Sequence, residues 1–331
     1  MRRFFTLLSL SCLACAGGEP AEPPPQRDRE VAEPAPETVS LLGEPLYAPR
    51  RSPETAALQK RQLDEALEAY RAAPDDADAA IWAGRRTAYT GRYREAVALY
   101  SEGIEKHPED PRLYRHRGHR YITLRSFEDA VADLTKASEL IRGRPDEVEP
   151  DGQPNARNIP VSTLQSNIWY HLGLAHFLSG QWREALVAYE EGALVSKNPD
   201  QKVSNSYWQV QTLWRLGRDE EARALLDTLP QELELLENHG YHRLLLLFQG
   251  SMGPEEVDGP GEAGTSLLEN ATLGFGVAVW HAREGREEEA LKIWRSLAGG
   301  PRWDAFGQIA AEAEVARRSS PGTAGPSPDG S

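Results

Sequence analysis

The chain has 331 residues, with 37 Lys and Arg against 51 Asp and Glu and a formal net charge of −14. That acidic balance argues against a nucleic-acid partner, because a protein that neutralises phosphates shows a basic excess. Its two cysteines stand at positions 12 and 15, so no disulfide holds together anything after them, and residues 54–318 are long enough to bury a core of their own.

At the N-terminus, Met1-Arg2-Arg3 precedes an apolar run from Phe4 to Ala14. The run is too short to span a bilayer, which takes about 20 helical residues, and has the size of a signal-peptide core. Leu13-Ala14-Cys15-Ala16-Gly17-Gly18 resembles the lipobox of bacterial lipoproteins, with Cys12 where a leucine is usual. The resemblance implies a signal over residues 1–15 and lipidation at Cys15, with Cys12 the second candidate. It further implies an exported chain in the periplasm or outside the cell, or held by its lipid on the periplasmic face of a membrane, the outer one in a Gram-negative host. Read as a metal or redox pair, Cys12 and Cys15 lack further ligands nearby.

Residues 16–53 are rich in Pro, Glu and Ala and read as a disordered tether; residues 319–331, SSPGTAGPSPDGS, read as a disordered tail. Between them apolar residues recur at helical spacing, and no stretch alternates as a strand does. The expected class is all-α. A helix is expected over Glu54–Ala73, and Leu233–Phe248 reads as a helix packed on both sides. Trp303–Arg317 reads as a terminal capping helix.

Gly91, Tyr93, Ala96 and Tyr100 recur 34 residues later as Arg125, Phe127, Ala130 and Leu134, with Gly84 matched by Gly118. A third unit carries Trp169, Leu172, Gly173, Gly180, Trp182, Ala185 and Tyr189. The pattern resembles the tetratricopeptide repeat. On that resemblance the repeats run over about 77–110, 111–144, 166–199, 203–236 and 271–304, interrupted by loops at 145–160 and 250–264. Such helical hairpins stack into a right-handed α-solenoid with one concave surface. Gly274 and Gly276 read as sites of close helix packing.

The stretch PRLYRHRGHRYITLRSF, residues 111–127, holds five arginines and two histidines and no carboxylate. At helical pitch Tyr114, Gly118 and Tyr121 share one face, and Arg112, Arg115, His116 and His119 share another. The family resemblance puts the second set on the concave groove, where basic residues can clamp a partner's carboxylate. The equivalent positions elsewhere include Trp82 and Arg85, then Tyr170 and His171, then Tyr207, Trp208 and Gln211. A cationic groove flanked by aromatics suits an extended or carboxylate-bearing peptide.

Two other readings of these residues stand beside it. The arginines can simply pair with acidic neighbours such as Glu109, Asp110, Asp146, Glu147, Glu149 or Asp151, or the acidic loop 145–160 can lie over the groove as a cover. Histidine pairs at i,i+3, His116/His119 and His239/His242, leave a metal- or small-ligand-binding protein as an alternative, and an accessory subunit of an envelope enzyme is another. No metal site, cofactor or catalytic arrangement is expected, since phosphate loops, nucleophile elbows and Cys-His pairs are missing from the sequence. The expected function is a non-enzymatic interaction scaffold whose partner is a protein or peptide.

Overall fold

The structure, a computed structural model, describes residues 35–257 and 271–319. The signal segment, Cys12 and Cys15, the tether up to residue 34, part of the 250–264 loop and the tail from residue 320 lie outside the described residues. Thirteen α-helices occur among those described: α1 (Pro53–Ala72), α2 (Ala77–Tyr89), α3 (Tyr93–Lys106), α4 (Pro111–Thr123), α5 (Phe127–Leu140), α6 (Leu164–Leu178), α7 (Trp182–Val195), α8 (Pro199–Arg215), α9 (Asp219–Asp227), α10 (His239–Gln249), α11 (Ala271–Arg283), α12 (Glu287–Ala298) and α13 (Phe306–Ser319). None is long and apolar enough to cross a membrane.

Local chemistry sets the helix ends. Asp76, Asp110 and Asn198 each accept a hydrogen bond from a first-turn backbone N–H, at 2.9, 3.0 and 2.9 Å, which satisfies a donor the helix itself leaves open. Thr163 and Ser166 cap α6 reciprocally, at 2.9 and 3.2 Å. Gly91, Gly180, Gly217 and Gly285 close four hairpins with φ between 70° and 87°, a left-handed geometry that glycine reaches without penalty.

The hairpins α2–α3, α4–α5, α6–α7, α8–α9 and α11–α12 stack in order, α10 packing on α8, α9 and α11. Inside each of the first three, a glycine of the leading helix receives a large side chain of the second. A Cβ at Gly84 would lie 2.3 Å from the Tyr100 ring, at Gly118 2.7 Å from Leu134 and at Gly173 2.6 Å from Tyr189. Gly276 instead meets Leu244 of α10, so the close approach read for it joins α10 to α11. Trp208, Trp294, Tyr189, Phe177 and Phe275 are fully buried where these layers meet.

Three expectations need correction. Residues 35–52, read as the end of a disordered tether, are ordered: β1 (Thr38–Val39) and β2 (Pro45–Leu46) pair antiparallel. Here the Pro/Glu/Ala composition gives way to VSLLGEPLY, and the strap docks by long-range hydrogen bonds. Thr38 Oγ1 donates to the Leu124 carbonyl at 2.6 Å, and Trp303 Nε1 to the Tyr47 carbonyl at 2.7 Å.

The last helix is not an end cap. Its nine residues from Gly307 to Val315 are all buried, and it packs on α11 and α12 and reaches α6. Gly307 and three alanines let it fit closely, and a Cβ at Gly307 would stand 2.2 Å from the Ala271 carbonyl oxygen. Its two buried glutamates are neutralised: Glu312 by Arg125, and Glu314 by Arg215, Arg317 and Arg318. A cap needs a polar outer face; α13 is enclosed by the solenoid it follows.

The helix after the fourth hairpin starts at His239, six residues later than expected. The Asp200 carboxylate, 3% exposed, accepts from the backbone N–H groups of Leu236, Glu237 and Asn238 at 2.9–3.0 Å and holds that segment out of helical form.

Candidate functional site

Most of the first-helix positions assigned to the groove are taken up by packing or by ion pairs within the protein. Tyr207, Trp208 and Gln211 are 0%, 1% and 2% exposed. Trp208 lies between Phe177 and Phe275, with ring centroids at 5.1 and 5.8 Å, and Tyr207 packs on Tyr241 and Phe248. These three residues are core, because α10 packs on α8 and Phe275 of α11 stacks on Trp208.

Arg112 is also removed from the groove. Its Nε donates to Asp110 at 3.0 Å and its guanidinium reaches Asp78 at 2.5 Å, so the pairing with acidic neighbours holds here. Trp82 is half-buried under two guanidinium groups, Arg85 at 4.5 Å and Arg86 at 5.0 Å from the ring centroid. Arg85 is itself buried.

The acidic loop 145–160 lies across α2 and α4. Arg86 donates to the Gly152 carbonyl at 2.9 Å, and only glycine fits there, since a Cβ at 152 would fall 1.8 Å from the Tyr89 hydroxyl. Glu149 stands 3.0 Å from Arg115 Nε and accepts from Asn167 Nδ2 at 3.0 Å. The Arg115 contact is a charge pair, because Nε has no aligned hydrogen-bond acceptor. The Arg115 guanidinium donates to His116 Nδ1 at 3.0 Å. An arginine can only donate, so Nδ1 is unprotonated and the neutral ring carries its proton on Nε2.

A cavity of about 340 Å³ remains open on this face. Arg115, His119, Tyr170 and His171 line it, together with Tyr241 of α10 and Phe306 at the start of α13. The His119 and His171 rings are 4.4 Å apart, and Phe306 lies 5.2 Å from the first and 5.6 Å from the second. His171 Nδ1 donates to the Asn167 carbonyl at 2.6 Å, and Tyr170 shares its hydroxyl with Tyr241 at 2.8 Å and Trp208 Nε1 at 3.0 Å.

Burial, with Arg115, Arg85 and Arg120 added, holds His116 well below the ordinary histidine range. His119 is lowered by burial and by Arg120, and His171 by burial and by Arg115. The cluster therefore has guanidinium cations beside neutral imidazoles. Such a site attracts an anion and offers aromatic faces to whatever carries it.

Among the described residues no group of three or more His, Cys, Asp or Glu is placed to hold a metal ion. His239 and His242 do not act as a pair: His242 is buried and its Nε2 donates to the Pro230 carbonyl at 2.9 Å. Sequence reasoning missed Tyr241 and Phe306 in this cavity. Phe306 stands far from α4 and α6 in the chain, and no local pattern marks it.

Residues 83–145 match a family described as tetratricopeptide repeat. No curated protein sequence matches the chain. Among solved structures it is similar to YrrB, described as a TPR protein with an unusual peptide-binding site, at 15% identity over 76% of this chain and 98% of that one, TM-score 0.41. PilF of Pseudomonas aeruginosa is similar at 14% identity over 78% and 92%, TM-score 0.43. A tetratricopeptide repeat protein from Parabacteroides merdae is similar at 13% identity over 79% and 98%, TM-score 0.45. The family match places tetratricopeptide repeats over residues 83–145, and helical hairpins continue on either side of them.

Proposed function

We propose that this chain is a non-catalytic protein-interaction scaffold that takes a carboxylate-bearing segment of its partner into the cavity of Arg115, His119, Tyr170 and His171. The observation that carries the reading is the composition of that cavity. It combines an arginine, two imidazoles held neutral and three aromatic rings in about 340 Å³, enough for a side chain or chain terminus. Its one lining carboxylate among the described residues, Glu237, is engaged by Asn155 Nδ2 at 2.8 Å. Glu149 already supplies one carboxylate to Arg115, so a partner's carboxylate meets a site whose own acid it displaces or joins.

The test is capture of synthetic peptides ending in acidic or aromatic residues, with amidated versions as controls. Wild-type protein should retain the free-carboxylate peptides, and His119→Glu should lose them while keeping its helical circular dichroism. Equal retention of amidated peptides, or unchanged capture by His119→Glu, counts against the reading.

A second reading, a small carboxylate ligand in the same cavity, is favoured by its size, which is at the lower end of small-ligand pockets at ~300–1,000 Å³. Native mass spectrometry of the purified protein separates the two, since a retained small molecule points to the second. The N-terminal sequence supports the further proposal that the chain works outside the cytoplasm on a lipid at Cys15. Radiolabelled palmitate incorporated into wild type and lost in Cys15→Ala is the expected result, and incorporation that persists in Cys15→Ala but not Cys12→Ala moves the anchor to Cys12.

A further inference from the structure

A second cavity, of about 300 Å³, opens where the N-terminal strap, α1, α4 and the α12–α13 connection meet. Its walls include Arg51, Gln59, Arg120, Arg302 and Asp304, with His119 shared between it and the cavity described above. Three guanidinium groups face one carboxylate. Asp304 takes Arg51 at 3.0 Å, Arg302 at 3.6 Å and the Tyr93 hydroxyl at 3.3 Å.

Arg120 forms no ion pair among the described residues; its guanidinium lies against the Tyr93 ring, 5.5 Å from the centroid. Arg51 spends its terminal nitrogen on Asp304 and leaves a buried Nε without an acceptor. On the opposite wall Gln59 is 8% exposed, and its side-chain amide makes no hydrogen bond among the described residues. It occupies one of the two buried positions of α1, a turn before Leu63, where an apolar residue would pack as well. Its amide atoms stay accessible from the cavity, so they are free to bond to whatever enters it.

From these groups we infer that this second cavity is a binding site for a phosphate-bearing ligand, held by Arg120, Arg51 and Arg302 with Gln59 donating from the far wall. A carboxylate would leave one of the two uncompensated cations unpaired. A phosphate monoester carries a charge of about −1.5 to −2 at pH 7 and three acceptor oxygens, and guanidinium forks match those oxygens bidentately. The site is built by tertiary packing: Arg51, Arg120 and Arg302 come from the strap, from α4 and from the segment before α13. It does not rest on the peptide reading, whose cavity it meets at His119.

The experiment is calorimetric titration of the full chain with inorganic phosphate at low ionic strength, repeated with sulfate and with acetate. Saturable one-to-one binding of phosphate, competed by sulfate and not by acetate, is expected. Arg120→Gln and Arg302→Gln should each weaken it about tenfold or more, as follows from losing hydrogen bonds to a charged group. Arg302 is 56% exposed on its side chain, so its replacement keeps the test valid if Arg120→Gln fails to fold. Glycerol phosphate and vesicles containing phosphatidic acid, both phosphomonoesters, are the two further arms: displacement of bound phosphate by the first assigns a soluble phosphomonoester, and by the second a lipid headgroup. No saturable phosphate binding at millimolar concentration, or binding that Arg302→Gln leaves unchanged, overturns the inference.

Discussion

Arg125, at the turn between α4 and α5, reaches across the superhelix to Glu312 in the middle of α13, with Nε donating to Oε2 at 3.1 Å. Arg125 holds φ at 65°, the conformation that glycine supplies at four other hairpin turns. The left-handed form is unfavourable for a residue with a Cβ by about 1–2 kcal/mol. Its compensation is the pair with a fully buried glutamate, the bond to the Thr123 carbonyl at 2.6 Å and the stacking on Trp303 at 5.5 Å.

Arg125→Gly should therefore destabilise the protein even though it restores the residue that the turn prefers. Breaking a buried ion pair by removing one partner is worth about 3–5 kcal/mol, less the ~1–2 kcal/mol of strain relieved. A net loss of about 1–4 kcal/mol in urea unfolding is expected, and Glu312→Gln in the same background should recover part of it. Unchanged or higher stability of Arg125→Gly would show that the link does not hold α13.

Stability should fall on acidification through two contributions that begin at different pH. Burial holds His116, His119 and His171 well below the ordinary histidine value of 6.5, so the unfolded chain binds more protons. Stability is then complete above that pH and declines as pH drops below it. Glu314 is held down to about 2 from 4.5: burial raises it, but Arg215, Arg317 and Arg318 outweigh burial. Its contribution, on the order of 3 kcal/mol, is present above pH 4.5 and is lost toward pH 2. Thermal melts across pH 3 to 8 should show both declines, with His119→Phe flattening the upper one and leaving the lower in place.

Glu149→Gln should loosen the loop over α4 and leave Arg115 without a counter-charge. The fold is expected to lose about 3 kcal/mol, as for breaking a buried ion pair, since the pair is only 8% and 11% exposed. Affinity for a carboxylate-ended peptide should rise at the same time. Weaker peptide binding in Glu149→Gln would mean that the glutamate belongs to the binding surface and does not compete for it.

Gly173→Ala should cost about 1–3 kcal/mol by overpacking, because the added methyl group would lie 2.6 Å from the Tyr189 ring. Pairing it with Tyr189→Leu should restore part of the loss by making room. A single variant as stable as wild type would show that the α6–α7 hairpin can open by a few tenths of an ångström.

Much of the secondary structure was legible in the sequence because its signals are local. Asp76, Asp110 and Asn198 mark helix starts and Gly91, Gly180, Gly217 and Gly285 mark hairpin turns within a few residues of the helices they bound. The small residues Gly84, Gly118 and Gly173 announce close helix pairs for the same reason: each meets a partner about 16 residues away in its own hairpin. The candidate site was legible only in part. Arg115, His119, Tyr170 and His171 do share one cavity, whereas Tyr207, Trp208 and Gln211 are core and Arg112 pairs with Asp110 and Asp78.

What the sequence by itself determined, then, is the all-helical repeat, set by periodicities of 3.6 and 34 residues; the inward direction of its first helices was implied by the family resemblance. Whether the inward face stays open was decided by contacts between distant parts of the chain. Glu312 and Phe306 meet Arg125 and His119 across nearly 190 residues, and the strap at 35–52 reaches Leu124 and Trp303. No short window encodes such pairings, because each residue's local pattern is satisfied equally well with its partner absent; only the packing of α13 against α6, α11 and α12 turns a predicted groove into a largely filled interior.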